Sequence, residues 1–542
     1  MRMVFALVAV LLYPIAAAAG EAQATVLVRG EVVDAQSGAP LAARVYVRTS
    51  DGQWLFARSA SPEGTAVEYR KERSPESVEM HTTVSAHPFL VDAPPGRLTI
   101  RVERGKEYSP VERTVDVGRE PPPLLKFELA RWIDMAALGW YSGDTHVHRS
   151  LEELPNLLVA EDLNVGLPLS YWVTTADTPP GSGPKSTAKD VACEPIYIDP
   201  THVIYPVNTE YEIFTVAGKR HTLGAVFALG HKTPFEAGVP PVGPIAEEAR
   251  RQGALLDLDK HSWPWSLMLV PVMQVDLFEL ANNHVWRTEF AFRKWTIEMA
   301  PEYQGLQIDE QGFTEWGWID FGFQTYYALL NCGFRMRPTA GTASGVHPVP
   351  LGFGRVYVHL PGGFSYEKWM EGLGAGRSFV TTGPMLMVEV EGQPPGATIR
   401  QEDAAKRTYR ITGQAVSSEP LRPIEIVAGG EVVRRIPAAN RKTARGAYES
   451  PIEAGVELDG SSWIAVRAFE DRPDKRIRFA HSSPVHVDVP GKPLRPRREE
   501  VDYLIRRMKE EIERNGDVLR PEGLQEYREA LRAYEDLAAT AR

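Results

Sequence analysis

The stretch "GDTHVHRS" sets His146 and His148 two residues apart. On a strand, positions i and i+2 share a face, so both imidazoles can lean toward one point. Neutral imidazoles ligate zinc, iron and manganese; two hydrogen-bonded histidines are the plain alternative. In "GALLDLDKHSWPW" the side chains of Asp257, Asp259 and His261 share one face, opposite Leu256 and Leu258. Polar groups facing one way from an apolar run must be solvated, paired or bound to something. His261 is the ligand candidate there. Asp259 could orient an imidazole or accept a proton from bound water; an Asp-Lys-His salt-bridge cluster is the alternative. In "YPVNTEYEIFTVAGKRH", Glu210 and Glu212 alternate into a strand, a turn follows at Ala217-Gly218, and His221 opens the returning strand. A hairpin can bring a glutamate and a histidine together, and a glutamate such as Glu210 can bridge two cations; a plain solvent-facing role for either glutamate is the alternative, and nothing local separates them. Finally "AGTASGVHPVPLGFGR" presents His347 and Arg355 on a loop whose glycines turn chemistry alone would explain.

Four segments must position these residues. Residues 25–130 alternate with period 2 between Gly/Pro/Asp clusters, the pattern of a β-sandwich. Residues 138–384 mix apolar runs such as "FGRVYVHL" with helix-like stretches such as "RTEFAFRKWTIEMA", which predicts an α/β, barrel-like unit. Residues 385–490 return to β patterning and predict a second sandwich. In residues 498–542, Val501, Leu504, Ile505, Met508 and Ile512, then Leu524, Tyr527, Leu531 and Tyr534, recur at helical spacing and predict a helical hairpin.

The N-terminus, "MRMVFALVAVLLYPIAAAAGEA", has a basic start, a short apolar core and a small-residue cleavage site. Residues 1–19 are therefore expected to be a signal peptide. That predicts a periplasmic or secreted protein with no stable membrane insertion after cleavage. A formal net charge of -11 argues against a nucleic-acid partner. The two cysteines, Cys193 and Cys332, could pair in an oxidising compartment, but their spacing does not decide it.

Two resemblances add to this. "GEVVDAQSGAPLAARVYV" resembles the opening of carboxypeptidase regulatory-like β-domains. "GDTHVHRS", followed in order by "NTEYEIF", His221, "DLDKHSWPW" and "AGTASGVHPVPLGFGRVYV", resembles the PHP (polymerase and histidinol phosphatase) superfamily, in its exported carbaryl-hydrolase-like CehA/McbA branch. The resemblance implies a distorted (β/α)7 barrel flanked by the two β-sandwiches. It implies divalent metal at the strand ends and hydrolysis of phosphate, carboxylic or carbamic esters. It gives His146, His148, Glu210, His221, His261 and His347 ligand roles. Two departures reduce the expected ions to one or two: "LPLSYWVTT" lacks the family's Thr-Asp-His, and "TASGVH" lacks its aspartate. Zinc is the first expectation for the metal, manganese or iron the alternatives.

The resulting expectation is an exported metal-dependent hydrolase of small-molecule or glycan esters that uses a metal-activated water. Asp259 would serve as base, Arg355 would neutralise an anionic group, and Trp263, Trp265, Trp286, Trp316 and Trp318 could line an aromatic pocket. The rival is a non-catalytic glycan- or protein-binding protein with a degenerate PHP metal site.

Overall fold

The computed structural model describes residues 25–187 and 191–542, so the leader expected over residues 1–19 lies outside the described residues. The chain is mixed α/β, with many strands in several sheets and seven α-helices among the described residues.

The N-terminal strands form two sheets. One runs Leu125–Leu129, Val26–Asp34, Phe89–Ala93 and Arg58–Ser59. The other runs Ala66–Ser74, Ser77–Val84, Ala43–Thr49, Gly96–Glu103 and Val111–Val117. Alternation explains the packing: Val26 and Val28 point inward while Leu27 between them is exposed. Val28, Val45, Phe89, Ile100 and Phe127 fill the shared core.

The central strands divide between two further sheets. A six-stranded sheet runs Tyr171–Thr175, Thr209–Val216, Lys219–Leu229, Leu255–Leu258, Leu277–Ala281, Arg337–Ala340. The strand Trp140–Val147 belongs to a different, twelve-stranded sheet, between Val165–Pro168 and Arg355–His359. The two sheets approach through single links, such as the bridge from Val147 to Ser344. Among the described residues no ladder closes into a barrel. The expected alternation of parallel strands and helices holds only in part. The helix Leu154–Ala160 joins one parallel pair and the helix Glu315–Asn331 another, whereas Thr209–Val216, Lys219–Leu229 and Leu255–Leu258 run antiparallel.

The long sheet does not stop with the central strands. Arg355–His359 pairs with Ser378–Thr381, which pairs with Phe479–Ser482 and so leads to Ser462–Phe469 and Ile424–Ala428. It thus runs past position 384. A four-stranded sheet, Met385–Val390, Arg407–Ser417, Tyr448–Leu458 and Arg441–Lys442, packs against it over Tyr409, Ile411, Val466 and Phe379.

The terminal helices Arg498–Asn515 and Pro521–Ala538 bury Val501, Leu504, Met508, Leu524, Tyr527 and Tyr534 in the same core as the six-stranded sheet. Tyr534 donates to the Leu267 carbonyl at 2.6 Å. Cys193 and Cys332 are both free thiols. No helix among the described residues is long and apolar enough to cross a membrane.

Candidate metal centre

His146 sits near the end of Trp140–Val147 and His148 one residue past it, where the two sheets converge. Buried Asp144 fixes the turn that follows. It accepts hydrogen bonds from the backbone of His146 (3.1 Å), Thr342 (3.2 Å) and Gly352 (2.9 Å), and from the Thr342 hydroxyl at 2.5 Å. The Gly/Pro-rich loop is thereby tied to the histidine strand. Gly341 has a steric reason to be glycine: a Cβ there would stand 2.2 Å from the Cβ of His146.

The donor atoms converge. His146 Nε2 and His148 Nε2 are 3.2 Å apart, and His148 Nε2 is 3.3 Å from Glu210 Oε2. Ligands about 2.0–2.1 Å from a tetrahedral ion are roughly 3.3 Å from one another, so both spacings match an edge of that polyhedron. Glu210 Oε2 is buried with no hydrogen-bond partner among the described residues. Behind His146, Nδ1 faces Glu279 Oε2 at 3.0 Å and Asp259 Oδ1 at 3.7 Å. Burial, then Asp259, pushes Glu279 well above its ordinary value; an ion on Nε2 would put the ring proton on Nδ1, with Glu279 as its acceptor. Glu279 is itself held by the backbone N–H of Asn283 at 2.9 Å. Two donor groups capable of holding a metal ion thus share His146: one with His148 and Glu210, one with Asp259 and Glu279.

The electrostatics favour a cation. Burial, then the charge of Asp259, pushes Glu210 up to about 8. Burial, then Glu210, does the same to Glu212. Burial drives His148 down to about 4 and His146 well below its usual value, so both rings are neutral ligands at neutral pH. Lys260 is the cation the chain itself supplies. It is paired with Asp259, and although burial opposes its charge, Asp259 and then Glu212 outweigh that and raise it. Trp172 completes the wall: its ring lies 4.1 Å from that of His148, and its Nε1 donates to Glu212 at 3.1 Å.

His146, His148, Glu210 and Asp259, all expected from the sequence, therefore meet at one place. Asp259 stands on the Nδ1 side of His146, engaged by Lys260, rather than among the converging donors. The remaining expected ligands lie outside both groups. His221 Nε2 donates to Asn515 Oδ1 at 2.7 Å, at the turn end of its hairpin. Register is the reason: the residue opposite Glu210 is Phe227, while Thr215 already pairs with Arg220 beside the turn. His261 is packed among Trp318 (5.3 Å), Phe321 (4.6 Å) and Phe278 (6.1 Å), with neither ring nitrogen partnered among the described residues. His347 Nδ1 meets Arg73 at 3.1 Å, and its ring borders His284, Trp286 and Phe292. Arg355 donates to the carbonyls of Gly352, Asp162 and Glu161, away from the converging donors. Of the tryptophans, Trp286 and Trp318 border these histidines and Trp263 lies 4.5 Å from the Lys260 ammonium, whereas Trp316 packs on Phe469.

Glu279 is the residue sequence reasoning missed. Its signal was present: it is the one acid in the buried strand "LFELA". His284, stacked on Phe292 at 3.7 Å with Nδ1 unpartnered, was also passed over. Compared with known proteins, the chain matches no family model, no curated protein and no solved structure.

Proposed function

We propose that this chain is a metal-dependent hydrolase of ester-type bonds, phosphate, carboxylic or carbamic, with one divalent ion held by His146 Nε2, His148 Nε2 and Glu210 Oε2. The observation that carries the reading is the pair of tetrahedral-edge spacings among the buried His146 and Glu210 and the half-buried His148, the Glu210 oxygen having no hydrogen-bond partner among the described residues. An ion there, zinc first and manganese or iron as alternatives, would polarise the scissile oxygen and acidify a bound water. With an ion on Nε2, the Nδ1–H of His146 would donate to Glu279 Oε2, 3.0 Å away, and so hold the ring with Nε2 offered. Trp172 packs on His148 and limits its rotation. Lys260 keeps Asp259 occupied and offers a positive charge beside the donors. Asp259 is thereby a positioning group in this scheme rather than the base. The ester class comes from the PHP resemblance. Small-molecule or glycan esters are the proposed substrates and the periplasm or exterior the proposed location, on the strength of the leader-like N-terminus.

One observation favours a second reading, a non-catalytic glycan- or protein-binding protein with a degenerate site. His221, His261 and His347 all lie outside the donor groups. The experiment that separates the two is metal analysis of the purified full chain by plasma mass spectrometry, with nitrophenyl phosphate, acetate and carbamate as substrates. The hydrolase reading expects close to one ion per chain and turnover that His146→Ala/His148→Ala abolishes with little change in Tm. Folded protein that takes up no metal ends it. One bound ion with no turnover on any panel leaves the binding reading in possession.

A further inference from the structure

Away from the metal centre, a cavity of about 410 Å3 opens where the N-terminal strands, the loop before Arg355 and the C-terminal strands come together. Its lining carries more cations than acids, and the acids are already taken. Glu103 is paired with Arg44 and Arg101, Glu161 with Arg44, and Glu470 and Asp474 with Arg472. Three lining cations are left over. Lys106 makes no ion pair among the described residues; its ammonium donates to the Thr382 carbonyl at 2.7 Å and lies 3.9 Å from the Phe353 ring centroid. Arg355, 1 % exposed, donates only to backbone carbonyls. Arg478, 6 % exposed, lies 4.9 Å from the same Phe353 ring and donates to the carbonyls of Ile477 (2.8 Å) and Arg287 (3.0 Å); its nearest carboxylate, Glu315, is 3.5 Å away and already held by Arg476 at 2.8 Å. A guanidinium has five N–H donors and an ammonium three, so these groups keep hydrogens to give after the contacts named.

Buried charge without a counter-charge is costly, and a protein retains it where a ligand supplies the missing sign. We infer that this cavity is an anion site for the phosphate group of a small molecule, held by Lys106, Arg355 and Arg478. A phosphate monoester carries about -1.5 to -2 at neutral pH, which three cations match better than they match a single carboxylate. Like-charge crowding agrees with this. Burial, then Arg355 and Arg478, pushes the Lys106 ammonium well below its usual value, a strain an anion would relieve. The site is distinct from the metal centre. Gly352 lines the cavity, and its N–H reaches Asp144, which lies between the cavity and the backbone of His146.

The test is calorimetric titration of the full chain with inorganic phosphate, and with citrate at matched ionic strength. It is run on the wild type, on His148→Ala and on Lys106→Gln and Lys106→Arg. Saturable binding of one phosphate is expected in the wild type and in H148A. A loss of at least tenfold is expected in K106Q, with recovery in K106R. No saturable binding, binding lost in H148A, K106Q as tight as wild type, or citrate tighter than phosphate would each overturn the proposal. A measurement that needs no variant runs beside it, namely acylation of Lys106 by an amine-reactive ester, followed by mass spectrometry with Lys126 as reference. Phosphate should slow modification of Lys106 at least fivefold relative to Lys126, and equal rates with and without phosphate would also count against the site.

Discussion

Glu79 and Glu210 are both strand glutamates, 0 % and 1 % exposed, and burial acts on both in the same direction. Their neighbours send them opposite ways. In the N-terminal sheet burial works to raise Glu79, but Arg287 first and then His81 outweigh it and hold the carboxyl at about 2. Its oxygens accept from Arg287 at 2.9 Å and from Tyr46 at 2.6 Å, with His81 at 2.8 Å. In the central sheet Glu210 has an unpartnered oxygen and rises to about 8. A buried acid whose charge is balanced inside the chain is part of the scaffold. A buried acid whose charge is not balanced is waiting for something from outside.

The largest expected effect is at the balanced site. Glu79→Gln should cost about 3 kcal/mol at pH 7, because it removes the fully buried charge that the part-buried Arg287 and its neighbours balance. The sign with pH follows from the depressed value. The native carboxyl contributes fully above the unfolded pKa near 4.5 and loses that contribution as the pH falls toward 2. Urea midpoints of wild type and variant should therefore converge over that interval, and a constant difference would break the comparison.

A smaller loss is expected at Glu279, whose partner is a ligand rather than an ion-pair arginine. Glu279→Gln should weaken metal binding by about 10- to 100-fold while the fold persists, as measured by competition with a chelating dye. An unchanged affinity would mean that the orientation of His146 is set elsewhere.

The smallest effect belongs to Glu210 itself. In chelator-treated protein at pH 7, Glu210→Gln resembles the protonated acid already present, and should shift stability by less than about 1 kcal/mol. A loss as large as that of E79Q would show that Glu210 is scaffold after all.

How much of this could be read from the chain follows the range of each signal. Period-2 alternation is local, so the shared face of His146 and His148 was legible; it also put Glu210 and Glu212 on one face, but alternation alone does not tell an inward acid from a solvated one. The place of His221 depended on counting across the turn at Ala217-Gly218, which pairs Glu210 with Phe227. His261 and His347 sit in stretches that do border the centre, but neighbouring stretches need not aim side chains at one point. His261 turned into the aromatic packing of Trp318 and Phe321 instead. Glu279 was hidden because one acid in a short apolar strand resembles a strand end until the partner it serves is known. The barrel was over-read for a similar reason: alternating strand and helix texture does not report strand direction, and Thr209–Val216 through Leu255–Leu258 run antiparallel.

The ladder that carries Arg355–His359 through Ser378–Thr381 into Phe479–Ser482 makes the last part of the polypeptide a splice rather than an appendage. During synthesis the strand holding Phe379, Val380 and Thr381 must wait about a hundred residues for its neighbour, with its hydrogen-bonding edge bare in the meantime. Release of a chain cut short after Thr382 would leave that edge open for good, and self-association through it is the fate such a fragment should meet.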